Sequence, residues 1–233
     1  PPMQRKKLKL IEQDPWLEPS EQDINERYDR FLARKEEIGS NFGGLDTCAD
    51  GYLYFGINYD ADHKAFVYRE WAPEAEALYL TGDFNDWEKY SHPLTRNEFG
   101  IWELFLPHEA YHQRFIHGSK VKVIVRSKLG EQYRIPAYIR RTIQDDDTKN
   151  FTGQVWLPGP FNWEGDDFRL KADEELFIYE CHVGMAQEKE GVGSYKEFTD
   201  NVLPRIEKAG YNAIQLMAIQ EHPYYGSFGY HVS

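Results

Sequence analysis

Apolar residues Ile24, Tyr28, Phe31, Leu32 and Ile38 recur at spacings of four, three, one and six, which is one stripe of a helix. Ser20 with Asp23 three positions on reads as a capping pattern, and Gly39 is placed to stop the run. The pattern predicts an amphipathic helix over roughly 21–38, packed on another element. Ahead of it, a charged lead-in with Pro15 and Pro19 predicts short ordered patches. From Tyr52 to about Leu157 the period changes. Short apolar runs bounded by turn residues predict strands at Tyr52–Tyr59, Ala65–Trp71, Ala77–Thr81, Ile101–Leu106, Lys120–Arg126, Gln132–Arg134 and Gln154–Val155. Seven short strands in about a hundred residues argue for an antiparallel β-sandwich.

Pro158–Asp167 is rich in Pro, Gly and acid and reads as a linker. Beyond it, Leu176–Tyr179 predicts a strand, Lys196–Ala209 a helix and Tyr211–Ile219 a buried strand. Strand, crossover helix and strand make a βαβ unit, hence a parallel pair. A barrel of eight βα units takes about 250 residues, whereas 58 residues follow Glu175, room for about two units. The expectation is the front piece of a longer enzyme, its last segment mobile or paired with another chain. The divisions are 1–45 for the helical segment, 46–160 for the sandwich, 161–175 for the linker and 176–233 for the first two βα units.

A net charge of −12 repels a phosphate backbone or an anionic membrane, so neither is an expected partner. No apolar run reaches membrane-span length and no signal segment opens the chain, so the default setting is cytoplasmic. Pro1-Pro2 before Met3 is read as a remnant. Cys48 and Cys181, 133 positions apart, form neither a disulfide framework nor a CxxC motif. Aromatic content is high at 15%. That directs attention to ring-bearing motifs.

Two of these stand out: Trp71-Ala72-Pro73, and Gly82-Asp83-Phe84-Asn85-Asp86-Trp87. Flat indole faces stack on the apolar faces of sugar rings, and short polar turn residues hydrogen-bond the hydroxyls around them. Filling a small sandwich core is the competing use of each Trp, and composition by itself favours it. W-A-P followed by G-D-F-N-x-W resembles the family-48 carbohydrate-binding module of starch- and glycogen-active enzymes. Ile178–Gly184 (IYECHVG), Asn201–Ile206 (NVLPRI), Gly210–Ile219 (GYNAIQLMAI) and Glu221–Tyr230 (EHPYYGSFGY) extend the likeness. With the Asp14–Leu17 entry (DPWL), nearly the whole chain resembles the 1,4-α-glucan branching enzymes of plant and animal type.

The resemblance implies a multidomain fold: an N-terminal helix, an immunoglobulin-like antiparallel sandwich and the truncated start of a (β/α)8 barrel. It implies an α-glucan partner (glycogen, starch or maltooligosaccharides), held at Asn41, Trp71, Pro73, Phe99 and Gly100. Phe42 stands where the family has an acid and Phe99 where it has Tyr, so hydrogen bonds are lost there while stacking survives. Trp87 matches a sugar-stacking Trp of related regulatory modules. Tyr230 matches the Tyr under the sugar at the cleavage point, and closing a turn is its competing role. The catalytic Asp, Glu and Asp follow later strands, so the resemblance implies no catalytic residue in this chain and an inactive 233-residue piece. Glu180 alone is not the carboxylate pair that retaining chemistry needs. Glu221 and His222 sit on the same rim as loop-orienting groups.

No cofactor and no metal is expected. Asp145-Asp146-Asp147 reads as a solvated acidic turn, His222 and His231 lack zinc-ligand partners, Gly191–Ser194 lacks a phosphate-loop Lys, and Ser233 has no elbow motif around it. Self-association through the unfinished barrel segment is a further expectation. Two rival readings differ in class. One is a debranching-type or trehalose-releasing relative. The other is a stand-alone glucan-binding or scaffold protein without chemistry.

Overall fold

The computed structural model describes residues 7–232, so Pro1, Pro2, Met3 and Ser233 lie outside the described residues. The chain divides into two compact units, 1–159 and 160–233, each described here by itself.

The first unit opens with helix α1 (Lys9–Gln13), a 3-10 turn over Pro15–Ser20, and helix α2 (Glu21–Phe42). Asp14 caps the turn by accepting from the Trp16 N–H. Helix α2 runs four residues past its expected end. Gly39 sits inside it, and Gly43, at φ +81°, takes the left-handed C-cap and donates to the Gly39 carbonyl at 2.9 Å. Ser20 makes no side-chain cap bond, contrary to the expected capping pattern. None of the α2 residues is buried, and Tyr28, Phe31 and Leu32 remain exposed. Ile24 and Ile38, at the two ends of the stripe, are half-buried, so the stripe is covered only in part. Spacing sets which residues share a face but not what that face meets.

After α3 (Leu45–Cys48) comes α4 (Gly51–Tyr54), which takes the residues expected to begin the first strand. Strand β1 (Gly56–Asp60) starts only at Gly56, at φ +78°, where a Cβ would lie 2.8 Å from the Tyr138 side chain. β2 (Ala65–Trp71), β3 (Ala77–Gly82), β4 (Thr95–Arg96) and β5 (Ile101–Pro107) follow. Helix α5 (His108–Tyr111) precedes β6 (Lys120–Ser127), β7 (Gly130–Arg134), β8 (Thr142–Gln144) and β9 (Phe151–Gln154). β4 and β8, two and three residues long, carry too few alternating positions to be seen in sequence. Val155, expected in a strand, follows β9 instead, although its N–H still donates to the Ser119 carbonyl at 2.8 Å.

One sheet has the order β1-β2-β5-β4. The other has β3-β6-β9-β8, with β7 also pairing β6. All pairings in both sheets are antiparallel. Ile57, Phe66, Tyr68, Trp102 and Leu106 of the first sheet meet Leu78, Leu80, Val121 and Val123 of the second, with Phe84 and Phe115 between them. Each large side chain buried here contributes about 1.5–3 kcal/mol. Trp102 belongs to this core, and its indole N–H donates to the Ala72 carbonyl.

In the second unit β10 (Ile178–His182) pairs in parallel with β11 (Ala213–Met217), in register from Ile178 with Ala213 to His182 with Met217. Both strands are displaced from, or shorter than, the expected runs. Between them lie α6 (Tyr195–Glu197), a π turn over Phe198–Val202, and α7 (Leu203–Lys208). Ser194 and Glu197 cap the start reciprocally, and Pro204, with no N–H to donate, accounts for the widened turn before it. Cys181, Val183, Phe198 and Ile206 form a small core, while Leu176, Phe177 and Ile178 stay exposed. A parallel βαβ pair is present. A closed barrel is not among the described residues.

Candidate functional site

The end of β2 and the turn before β5 bring four of the expected site residues together. Trp71 and Phe99 are 62% and 70% exposed, unlike the core Trp102 at 6%. The Trp71 indole N–H donates to the Phe99 main-chain carbonyl at 3.2 Å. The Ala72 N–H donates to the Gly100 carbonyl at 3.0 Å, which extends the β2–β5 ladder by one residue. Gly100, at φ +76°, faces Pro73 so closely that a Cβ would lie 2.8 Å from the Pro73 Cα. Two residues not singled out from sequence complete the turn. Asn97 Oδ1 accepts from the N–H groups of Phe99 and Ile101, and the Arg96 guanidinium donates to the Pro73 carbonyl. Asx-turn chemistry at Asn97 before a glycine was the available signal. Two flat rings thus stand exposed on one hydrogen-bonded turn, with the Trp71 indole N–H already engaged.

Asn41 lies in the last turn of α2 and is exposed, as is Phe42 after it. The structure gives Asn41 no bond to the Trp71–Phe99 turn.

Trp87 occupies a different end of the sandwich. β3 begins six residues after Trp71 and runs six residues, about 20 Å, before the turn that carries Trp87. That turn is built around Asn85, which is buried. Its Oδ1 accepts from the Gly82 N–H at 2.9 Å, and its amide nitrogen donates to the Glu88 carbonyl at 2.9 Å and lies within 3.1 Å of Ser91 Oγ and His92 Nδ1. His92 Nδ1 lies 2.8 Å from Ser91 Oγ and 3.1 Å from the Asn85 amide nitrogen, and its Nε2 lies 2.7 Å from Tyr111 Oη, so both ring nitrogens have partners. Burial holds the His92 imidazolium pKa below its ordinary value. Phe84 of the same motif is a core residue. G-D-F-N-D-W is thus half structural cradle and half exposed ring.

Tyr230 belongs to the second unit. It is 80% exposed and closes a turn with its N–H on the Ser227 carbonyl. Gly229 beside it, at φ +83°, lies where a Cβ would be 2.3 Å from the Ala218 side chain. Under this loop the His182 ring sits edge-on to Tyr225 and Phe228. His222 Nδ1 lies 2.9 Å from the Gln220 carbonyl, and Glu221 is exposed. Glu180 lies in β10.

Among the described residues, no group of three His, Cys, Asp or Glu is placed to hold a metal ion. Asp145 ties its own turn by accepting from Asp147 and Thr148. Cys48 and Cys181 are free thiols, the first exposed and the second buried. No described helix is long and apolar enough to cross a membrane.

The first unit has the architecture of a two-sheet antiparallel module with an exposed aromatic turn. Residues 54–139 match the model of carbohydrate-binding module 48, the isoamylase N-terminal domain. Solved structures share the fold. The group B Streptococcus pullulanase SAP with maltotetraose superposes at a TM-score of 0.56 with 18% identity, over 73% of this chain and 24% of that one. The catalytic module of the pneumococcal factor SpuA, solved with an inhibitor, gives 0.53 with 19% identity, over 74% of this chain and 28% of that one. Sequence relatives go further. The 1,4-alpha-glucan-branching enzymes of Equus caballus and Emericella nidulans are 42% and 44% identical over 97% and 96% of this chain, covering 32% and 33% of theirs. Enzyme 2-2 of Arabidopsis thaliana is 41% identical over 97% of the chain and 28% of its own length. The chain is a homologue of the 1,4-alpha-glucan-branching enzymes and spans about a third of their length.

Proposed function

We propose that this chain is the glucan-anchoring, N-terminal part of a 1,4-α-glucan branching enzyme. The whole protein would cleave an α-1,4 bond, keep the donor as a covalent glycosyl-enzyme and pass it to a glucan 6-hydroxyl. The observation that carries the anchoring role is the exposed Trp71–Phe99 pair, held by its own hydrogen bond within the module. Trp71, Pro73, Phe99 and Gly100 form the main α-glucan surface, Asn41 contributes from α2, and Trp87 offers a second contact. The β10–α6–α7–β11 unit opens the catalytic barrel, and Tyr230 supplies a stacking ring at its rim. The branching enzyme's carboxylates are assigned outside residues 1–233, so this chain binds without catalysing. Exposed apolar residues of the second unit, such as Phe177 and Ile178, suit pairing with further barrel or with another chain. Two free cysteines fit a reducing, cytoplasmic setting.

The test is calorimetric titration of the chain with maltoheptaose beside Trp71→Ala. The reading expects saturable binding that weakens by about tenfold or more in the variant. Equal affinity in both chains removes Trp71 from the site. Incubation with amylose tests the division of labour: new α-1,6 branches made by the purified 233-residue chain would refute it.

A further inference from the structure

Trp87 has a backbone that a bulky residue rarely adopts. It lies at φ +61°, directly after Asp86 at φ +51°, so two consecutive non-glycine residues are left-handed. Such strain persists only where the surroundings over-determine it, and it is concentrated at functional positions. Three bonds do so here. The Trp87 N–H donates to the Gly82 carbonyl at 2.9 Å. The indole N–H donates to Asp83 Oδ1 at 3.0 Å, and the other oxygen of that carboxylate accepts from the Lys120 N–H, at the start of β6, at 2.7 Å. Asp83 therefore joins the indole to the first residue of β6, an interior strand of the second sheet. The turn is seated directly on β6, since a Cβ on Gly82 would come within 2.2 Å of the Lys120 carbonyl.

We propose that Asp83 is the positioning residue of the Trp87 platform: it holds the indole by its N–H, leaving the ring face for the apolar face of a glucose unit. The inference rests on the reading of Trp87 as an α-glucan contact and adds how that contact is made. A free indole on a surface turn samples several rotamers and loses them on binding. The clamp removes that loss beforehand. It also withdraws the ring's only hydrogen-bond donor, so recognition at Trp87 is by stacking. Hydroxyl selection falls to other groups.

The experiment follows the indole ¹⁵N–¹H resonance of Trp87 in the full chain, assigned by its disappearance in Trp87→Phe. Its solvent exchange is measured, and its shift during maltoheptaose titration gives an affinity for this site alone. In the parent chain slow exchange and a saturable shift are expected. Asp83→Ala should speed the exchange and weaken the site by about two- to tenfold, with the thermal midpoint of Trp87→Phe as reference for stability. Asp83→Asn, which retains one acceptor oxygen, should fall between the two and serves as the test if the Ala variant does not fold. Fast exchange in either variant with unchanged affinity overturns the clamp but leaves Trp87 as a contact. No shift of the parent resonance on titration overturns the reading of Trp87 itself, and the positioning role with it.

Discussion

The Trp71 indole N–H and the Phe99 main-chain carbonyl are partners at 3.2 Å, a bond that ties the last residue of β2 to the turn before β5. Phe99 contributes through its main chain as well as its ring. The carbonyl that pins Trp71 is present in any residue at position 99, so this bond does not depend on the ring there.

Gly100 decides whether that turn forms. Gly100→Ala places a Cβ against Pro73 in a left-handed backbone, with Pro73 Cα at 2.8 Å, so the main chain must move. The expected cost is about 1–3 kcal/mol, measured by urea denaturation. Maltoheptaose affinity at the Trp71 site should fall with it.

Leu80, wholly buried between the sheets, tests the core. Leu80→Ala should lose about 2–5 kcal/mol. Leu129→Ala, at an 88% exposed position in the β6–β7 turn, should stay within about 0.5 kcal/mol of the parent. Comparable losses would mean that the inner faces are misassigned.

His92 makes the sandwich acid-sensitive. Its folded pKa is depressed by burial, so between that value and the ordinary 6.5 the unfolded chain binds more protons. Its contribution is complete above about 6.5 and is lost as pH falls toward the folded value. Urea midpoints taken from pH 7.5 to 5 should fall more steeply in the parent than in His92→Gln. Parallel profiles would exclude this histidine as the cause.

The two thiols should separate by reactivity. Cys48 is exposed, while Cys181 is buried and its thiol pKa is pushed up by that burial, with Glu180 adding to the effect. An aromatic disulfide reagent should titrate one thiol quickly in the native chain and two in denaturant. Two fast thiols without denaturant would mean that the small core around β10 opens readily.

Much of this was legible along the chain because it is local. The short apolar runs at Ala65–Trp71 and Lys120–Arg126 stand as strands where expected, and the strand–helix–strand grammar at the end gives the parallel pair, though with shifted bounds. The W-A-P and G-D-F-N-D-W motifs could be read as ring-bearing turns. What sequence could not divide was ring from ring. Trp71, Trp87 and Trp102 are the same residue, and only the register that turns Trp102 inward and leaves Trp71 at a strand end separates core from surface. Tertiary structure also decided that Tyr52–Tyr54 coil as a helix beside Tyr138, that α2 leaves Tyr28, Phe31 and Leu32 of its apolar stripe exposed, and that Asp83 spends its carboxylate on an indole and on a strand 37 residues away. The reason is common to all three: period fixes the face a side chain points from, whereas its partner is set by which distant backbone the fold brings alongside.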